Sequence, residues 1–267
     1  MGHDNRPIGI FDSGVGGLTV LGEIRNALPD ESIIYVGDTA NVPYGGKSPE
    51  ALLGHGRDII RFLQSRDVKA VVLACGTTSS TVYEDLTKEF CKIPLVDVIR
   101  PGARACVESG IKRLGFIATA ATINSGLFSY LIQKQAPDTY IAAKACPMFA
   151  PMVEAGVIHG PIAKWTAETY VGHWRGKVDA VVLGCTHYPL LTSALTHVLS
   201  EDMQYVNLAV YTARALKAQL DENGCLADSS GQGMCEFYVS GEPDAFNRTA
   251  RFLLDGSVNA VKIGFDC

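Results

Sequence analysis

The sequence contains no Cys-x-x-Cys, no His-x-x-His and no His-Glu-x-x-His, although it holds eight cysteines and six histidines. The usual zinc-ligand spacings are therefore missing, and no metal is expected. No apolar run is longer than six residues, far short of a membrane span. The opening MGHDNRP lacks the basic-then-apolar pattern of a secretory leader. Charged residues make up only 19%, and acids outnumber bases to give a net charge of −5. That balance gives no support for nucleic-acid binding or for adhesion to an anionic membrane. A cytoplasmic protein with unpaired thiols is the expectation. Each of Cys91, Cys106, Cys146 and Cys225 reads as a small buried hydrophobe.

Apolar residues are plentiful, at 47% of 267 residues, enough for one large domain or two ordinary ones. Short β-rich runs recur at Ile8–Phe11, Ile33–Val36, Ala70–Leu73, Leu95–Val98, Leu114–Ala118, Ala180–Leu183 and Phe237–Val239. Each is followed by Gly, Ser or Thr and then a helix-like stretch. One such stretch, Glu50–Gln64, carries Leu52, Leu53, Ile59, Ile60 and Leu63 near helical spacing, with Ser48-Pro49 as its cap and first residue. This alternation predicts an α/β fold with mostly parallel sheets covered on both faces. A helix is also predicted over Asp244–Leu254, and a surface loop over Asp228–Gly233.

The chain echoes itself. Ala70-Val-Val-Leu-Ala-Cys75 matches Ala180-Val-Val-Leu-Gly-Cys185 at all but one position. More weakly, Ile8-Gly-Ile-Phe-Asp-Ser13 pairs with Leu114-Gly-Phe-Ile-Ala-Thr119. Two pseudo-symmetric lobes follow, residues 1–98 with 207–267 and residues 99–206, each with a cysteine at the end of a strand.

Ligands of open parallel sheets bind beyond the carboxyl ends of strands. Asp12 and Ser13, then Asp38, Tyr44 and Gly45, then Cys75, Gly76 and Thr77, and finally Cys185, Thr186 and His187 all follow a predicted strand. They should meet in the cleft between the lobes. A thiol leading into a helix N-terminus is expected to have a lowered pKa. The neighbouring hydroxyls suit a carboxylate ligand. Two thiols facing each other fit racemisation, which removes a proton from one face of a carbon and returns one to the other. Asp12 reads either as a proton relay or ammonium holder, or as a cap on the turn Gly14–Gly17. His187 either poises Cys185 or is a supporting histidine held by a backbone carbonyl. Glu154 is a weaker candidate, equally an exposed helical acid. Gly14-Val-Gly-Gly17 has neither the Walker spacing and lysine nor G-x-G-x-x-G, so a nucleotide is not expected.

In this order the motifs resemble the glutamate racemase family, within the aspartate/glutamate racemase group. Phe11-Asp-Ser-Gly-Val-Gly-Gly-Leu-Thr19, Tyr35-Val-Gly-Asp-Thr39, Pro43-Tyr-Gly45, Ala74-Cys75 with Thr77, and Leu183-Gly-Cys-Thr-His-Tyr-Pro-Leu-Leu191 carry the resemblance, with Pro101-Gly-Ala103 and Ala145-Cys-Pro147. The resemblance implies two α/β lobes and interconversion of L- and D-glutamate for peptidoglycan, with no pyridoxal phosphate or other cofactor. A homodimer is the expected assembly. Cys75 would deprotonate D-glutamate and Cys185 L-glutamate, with Asp12 and His187 assisting. Ser13, Tyr44 and Gly45 would hold the side-chain carboxylate, and Thr77 and Thr186 the α-carboxylate or amine. Gly76 would offer a backbone N–H, and Asp38 and Glu154 would support the site. His187 favours glutamate, because aspartate racemases tend to have glutamate there. Two departures stand out. Gly76 occupies the place of the family's usual asparagine, and Val206-Asn207 stands where an acid is more usual. Activity on another acidic amino acid is the alternative, as is a racemase-fold binding protein of the gyrase-inhibiting kind. The presence of both cysteines argues against the latter.

Overall fold

The computed structural model describes residues 3–228, 232–251, 253–254 and 258–265. In chain order the strands are β1 (Ile8–Asp12), β2 (Ile33–Gly37), β3 (Ala70–Leu73), β4 (Leu95–Asp97), β5 (Arg113–Ala118), β6 (Tyr140–Ala145), β7 (Ala180–Leu183), β8 (Gln204–Asn207), β9 (Cys235–Val239) and β10 (Val261–Lys262). The helices are α1 (Leu18–Ala27), α2 (Pro49–Ser65), α3 (Gly76–Thr81), α4 (Tyr83–Glu89), α5 (Ile99–Ser109) and α6 (Ala120–Asn124). They continue with α7 (Leu127–Gln133), α8 (Phe149–Glu154), α9 (Gly160–Val171), α10 (Thr192–Leu199), α11 (Leu208–Glu222) and α12 (Pro243–Ala250).

Two sheets result, ordered β10-β9-β2-β1-β3-β4 and β6-β5-β7-β8. Every pairing is parallel. The first four strands and the next four thus have the same order, with the first strand flanked by the second and third. The echo extends to register: Ile8 pairs with Ala70, and Leu114 with Ala180. Both echoed segments are therefore aligned within their own sheets as they are in sequence.

Side-chain alternation explains why these strands are apolar throughout. Ala70 and Val72 of β3, and Ala180 and Val182 of β7, face a core cluster that both sheets share. Val71 and Leu73 face an outer cluster of the first sheet, and Val181 and Leu183 an outer cluster of the second. A strand buried on both faces has no polar side, so it reads as a continuous run. Helices α1, α5 and α11 contribute Leu21, Ala103 and Leu216 to the shared core.

Local chemistry sets the element ends. Ser48 Oγ accepts from Ala51 N–H, and Pro49 opens α2, which runs to Ser65. β4 stops one residue short of the predicted Val98. Asp97 Oδ1 accepts from the N–H groups of Ile99 and Arg100 and turns the chain into α5. α12 ends at Ala250, four residues short of the predicted Leu254. Phe252 and positions 229–231, inside the predicted helix and loop, lie outside the described residues. Cys106 and Cys146 are buried as expected, but Cys91 is exposed on the turn after α4, and Cys225 is half-buried. Among the described residues no helix is long and apolar enough to cross a membrane.

Candidate active site

The predicted site residues lie at or just after the carboxyl ends of β1, β2, β3 and β7, with Gly76 and Thr77 in the first turn of α3; Glu154 instead ends α8. Cys75 follows β3 as the N-cap residue of α3, and it is buried. Burial pushes its thiol pKa up, and the charge of Asp12 adds to this. Hydrogen bonds involving Thr78 and Ser13 only partly offset the rise, and the value settles at about 11. The helix N-terminus was expected to lower this pKa, but removal from water outweighs it.

Cys185 sits differently. It is half-buried, and no α-helix follows it directly; a turn leads into the 3-10 segment Tyr188–Leu191. His187 turns back so that Nδ1 lies 3.7 Å from Cys185 Sγ, and its Nε2 lies 3.2 Å from Glu154 Oε1. Burial alone would lower the His187 pKa. Its partners Cys185 and Glu154, with the charges of Cys185 and Asp12, outweigh that and raise it to about 10. The ring lies between the Cys185 sulfur and the Glu154 carboxylate, neighbours that favour its protonated form.

Asp12 uses its two oxygens differently, and the capping reading is the one its contacts bear out. Oδ2 accepts from the N–H groups of Gly14 and Gly17, both at 3.0 Å, and so fixes the turn. Oδ1 is buried without a hydrogen-bond partner. Burial raises the carboxyl pKa, while His187 and the backbone donors pull it down. A fully buried acceptor left open is the feature a ligand ammonium would complete.

Asp38 is a hub. It accepts from the Tyr44 hydroxyl at 2.5 Å, from Asn41 Nδ2 at 2.9 Å and from Ser240 Oγ at 2.6 Å. It thereby ties the Tyr44 turn to the end of β9. Burial, then the Asp38 charge, raises the Tyr44 pKa well above the ordinary tyrosine value, so its proton stays in that bond. The Tyr44 hydroxyl is therefore committed to Asp38, and Gly45 stands close to Thr119 of the second lobe.

Two threonines join that no motif singled out. Thr77 Oγ1 lies 2.9 Å from Thr119 Oγ1, which lies 3.0 Å from Thr122 Oγ1. This hydroxyl chain crosses from α3 to the end of β5. The only sequence signal for Thr119 is the weaker echo, which pairs it with Ser13. A second crossing runs from Thr19 Oγ1 to the Thr186 carbonyl at 3.0 Å. Asn207 does not reach this chain; its side chain caps α11 by accepting from Ala209 N–H.

The cavity beside Cys185, lined by Thr19, Gly184, Thr186 and Asn207 among others, is about 10 Å³. Pockets for small ligands run to roughly 300–1,000 Å³, so this cavity as it stands does not hold one. A cavity of about 530 Å³, bounded by Tyr83, Arg100, Arg104, Tyr211 and Arg214, is lined by none of the predicted site residues.

Fold and site together define a class: two-lobed parallel α/β proteins that place one cysteine just beyond the equivalent strand end of each lobe. Sequence and structure comparisons give the class its family. The model of the Asp/Glu/hydantoin racemase family matches residues 17–215, and the chain belongs to that family. A glutamate racemase of Geobacter metallireducens is 43% identical over 260 residues, covering 96% of this chain and 95% of that one. The crystal structure of the Francisella tularensis glutamate racemase in complex with D-glutamate superposes with a TM-score of 0.91. It is 33% identical and covers 98% of this chain and 99% of that one. The Thermus thermophilus glutamate racemase, in complex with β-chloro-D-alanine, gives a TM-score of 0.88 at 38% identity, covering 97% of each chain.

Proposed function

We propose that this protein is a glutamate racemase that moves the α-proton of glutamate between Cys75 and Cys185 without a cofactor. The observation that carries the reading is the pair of register-equivalent cysteines, one beside a buried carboxyl group and the other beside the His187 ring. The named relatives, and the D-glutamate complex of one of them, support glutamate as the substrate. The lobes divide at residues 98/99 and 206/207, where Asp97 turns the chain into α5 and Asn207 caps α11.

In this reading the lobes open, glutamate enters and closure places its α-carbon between the sulfurs. Asp12 Oδ1 accepts from the ammonium. The hydroxyls of Ser13, Thr77, Thr119, Thr122 and Thr186, with backbone N–H groups at Tyr44, Gly45 and Gly76, hold the two carboxylates. One sulfur enters as thiolate and takes the proton, while the other, as thiol, delivers one to the opposite face. The His187 imidazolium supplies the positive charge that a thiolate at Cys185 needs. Cys185 then deprotonates L-glutamate and Cys75 D-glutamate. Closure excludes water, which strengthens every charge interaction around the carbanion.

The product would supply D-glutamate for peptidoglycan. Free cysteines suit the reducing cytoplasm. A homodimer is part of the same reading, supported by the exposed pair Ile162 and Trp165 on α9, and sedimentation of the purified chain tests it. The decisive experiment is incubation with L-glutamate in D₂O, which should yield D-glutamate carrying deuterium at the α-carbon. Absence of that product from folded protein would refute the assignment, and a panel of acidic amino acids run alongside would reveal a different substrate.

A further inference from the structure

Gly76 opens α3, and its backbone has no need of a glycine, because its φ lies outside the left-handed range. What requires a glycine there is the other lobe. A Cβ at position 76 would lie 2.5 Å from the main-chain carbonyl oxygen of Gly184, the residue before Cys185. The atom met is backbone, not the end of a flexible side chain. Nor is Gly184 free to retreat. Its N–H donates to the Ile117 carbonyl at 2.8 Å, and it sits so close to the Phe116 ring that a Cβ there would come within 2.4 Å of it. Phe116 is itself stacked on Phe128 at 4.1 Å. The other crossings of the cleft described above run through threonine hydroxyls, which can rotate. Here backbone meets backbone.

We propose that Gly76 is a positioning residue that sets how closely the two cysteine-bearing strand ends approach, and that any side chain at this position holds the lobes apart. Restoring ordinary contact around a Cβ would take a shift of roughly 1 Å. A misplacement of that size at reacting atoms costs up to about a hundredfold in rate. The kinetic half of the inference rests on the racemase reading; the contact itself does not.

The family's usual asparagine gives the inference a sharp test. If Gly76 merely lacks a useful amide, Gly76→Asn should raise activity; if Gly76 permits closure, the same change should lower it. The expected result with glutamate is a kcat reduced about tenfold in Gly76→Ala and about a hundredfold in Gly76→Asn. Without ligand, backbone hydrogen exchange should quicken at residues 76–79 and 184–187 in both variants. Gly54→Ala serves as the control for replacing a helical glycine, because a Cβ there meets nothing within 4 Å. A Gly76→Asn protein as active as the wild type, or unchanged exchange at both segments in Gly76→Ala, would overturn the proposal. If Gly76→Asn fails to fold, the alanine variant decides. If the wild type is inert on glutamate, the assigned function fails while the exchange comparison still decides the contact.

Discussion

Cys75 and Cys185 end strands of nearly one sequence, in matching registers of two sheets with the same strand order. Around the sulfurs the likeness stops. Cys75 is buried beside the Asp12 carboxyl group with its pKa raised to about 11. Cys185 is partly open and faces the His187 ring, which Glu154 backs and whose pKa its neighbours raise. The shared backbone ends both strands at matching levels of their own sheets. The neighbours differ: burial and the Asp12 charge disfavour ionisation of Cys75, while Cys185 has His187 beside it. In the proposed reaction two thiols sharing one proton already give an acid and a base, so the unlike neighbours tune how readily each sulfur gives up its proton.

The most direct way to break the comparison is to remove either sulfur. Cys75→Ala and Cys185→Ala should each lower racemisation of glutamate by at least about 10³-fold, measured by polarimetry or coupled assay. A variant that kept wild-type turnover would remove its thiol from the mechanism.

The neighbours come next. The enantiomers have equal free energy, so kcat/KM must stay equal in the two directions for any variant, and asymmetry has to be sought in isotope effects. Both His187→Asn and Asp12→Asn should lower kcat by about 10²-fold. His187→Asn should raise the α-deuterium isotope effect with L-glutamate, and Asp12→Asn with D-glutamate. Equal isotope effects for both enantiomers in both variants would show that the neighbours do not serve separate sulfurs.

Asp38 acts at one remove. Asp38→Asn keeps the shape of the hub but weakens its hold on Tyr44 and Ser240. KM should rise about tenfold, on the order of the 1.5–3 kcal/mol that a hydrogen bond to a charged group contributes, with a smaller change in kcat. An unchanged KM would detach the Tyr44 turn from substrate binding.

The smallest effect is on stability in alkali. A thiol whose folded pKa is about 11 retains its proton above pH 9, where the unfolded chain loses it. Its contribution is fully present below pH 9 and is lost as pH rises toward 11. At pH 10 the cost is on the order of 1 kcal/mol. Denaturant unfolding at pH 8 and pH 10 should show a larger loss in the wild type than in Cys75→Ser, where the buried thiols of Cys106 and Cys146 still contribute.

Much of this was legible because strands buried on both faces announce themselves. Ala70–Leu73 and Ala180–Leu183 were delimited to the residue, and the cysteine pair came with them. Three strands escaped, Tyr140–Ala145, Gln204–Asn207 and Val261–Lys262, and all lie at sheet edges. An edge strand is partly solvated, so Tyr-Ile-Ala-Ala-Lys-Ala needs no continuous apolar face. The Cys75 pKa was misjudged because a helix terminus is a local signal, whereas burial depends on what the other lobe covers. Thr119 and Thr122 follow no motif at all. Their place depends on a hydroxyl from α3 reaching across the cleft, and only an echo with Ser13 hinted at it.

One feature of the first sheet bears on how the chain is made. β2 is Ile-Ile-Tyr-Val-Gly, buried along its whole length, and the neighbour that covers its outer edge is β9. Met234 and Ser32, which meet at the start of that pairing, are 202 positions apart. On the ribosome every strand of the second sheet emerges before β9 does. The second sheet can therefore be completed during translation while β2 waits with an unpaired, apolar edge. That edge is sealed only once residues 202 positions further along the chain have left the tunnel.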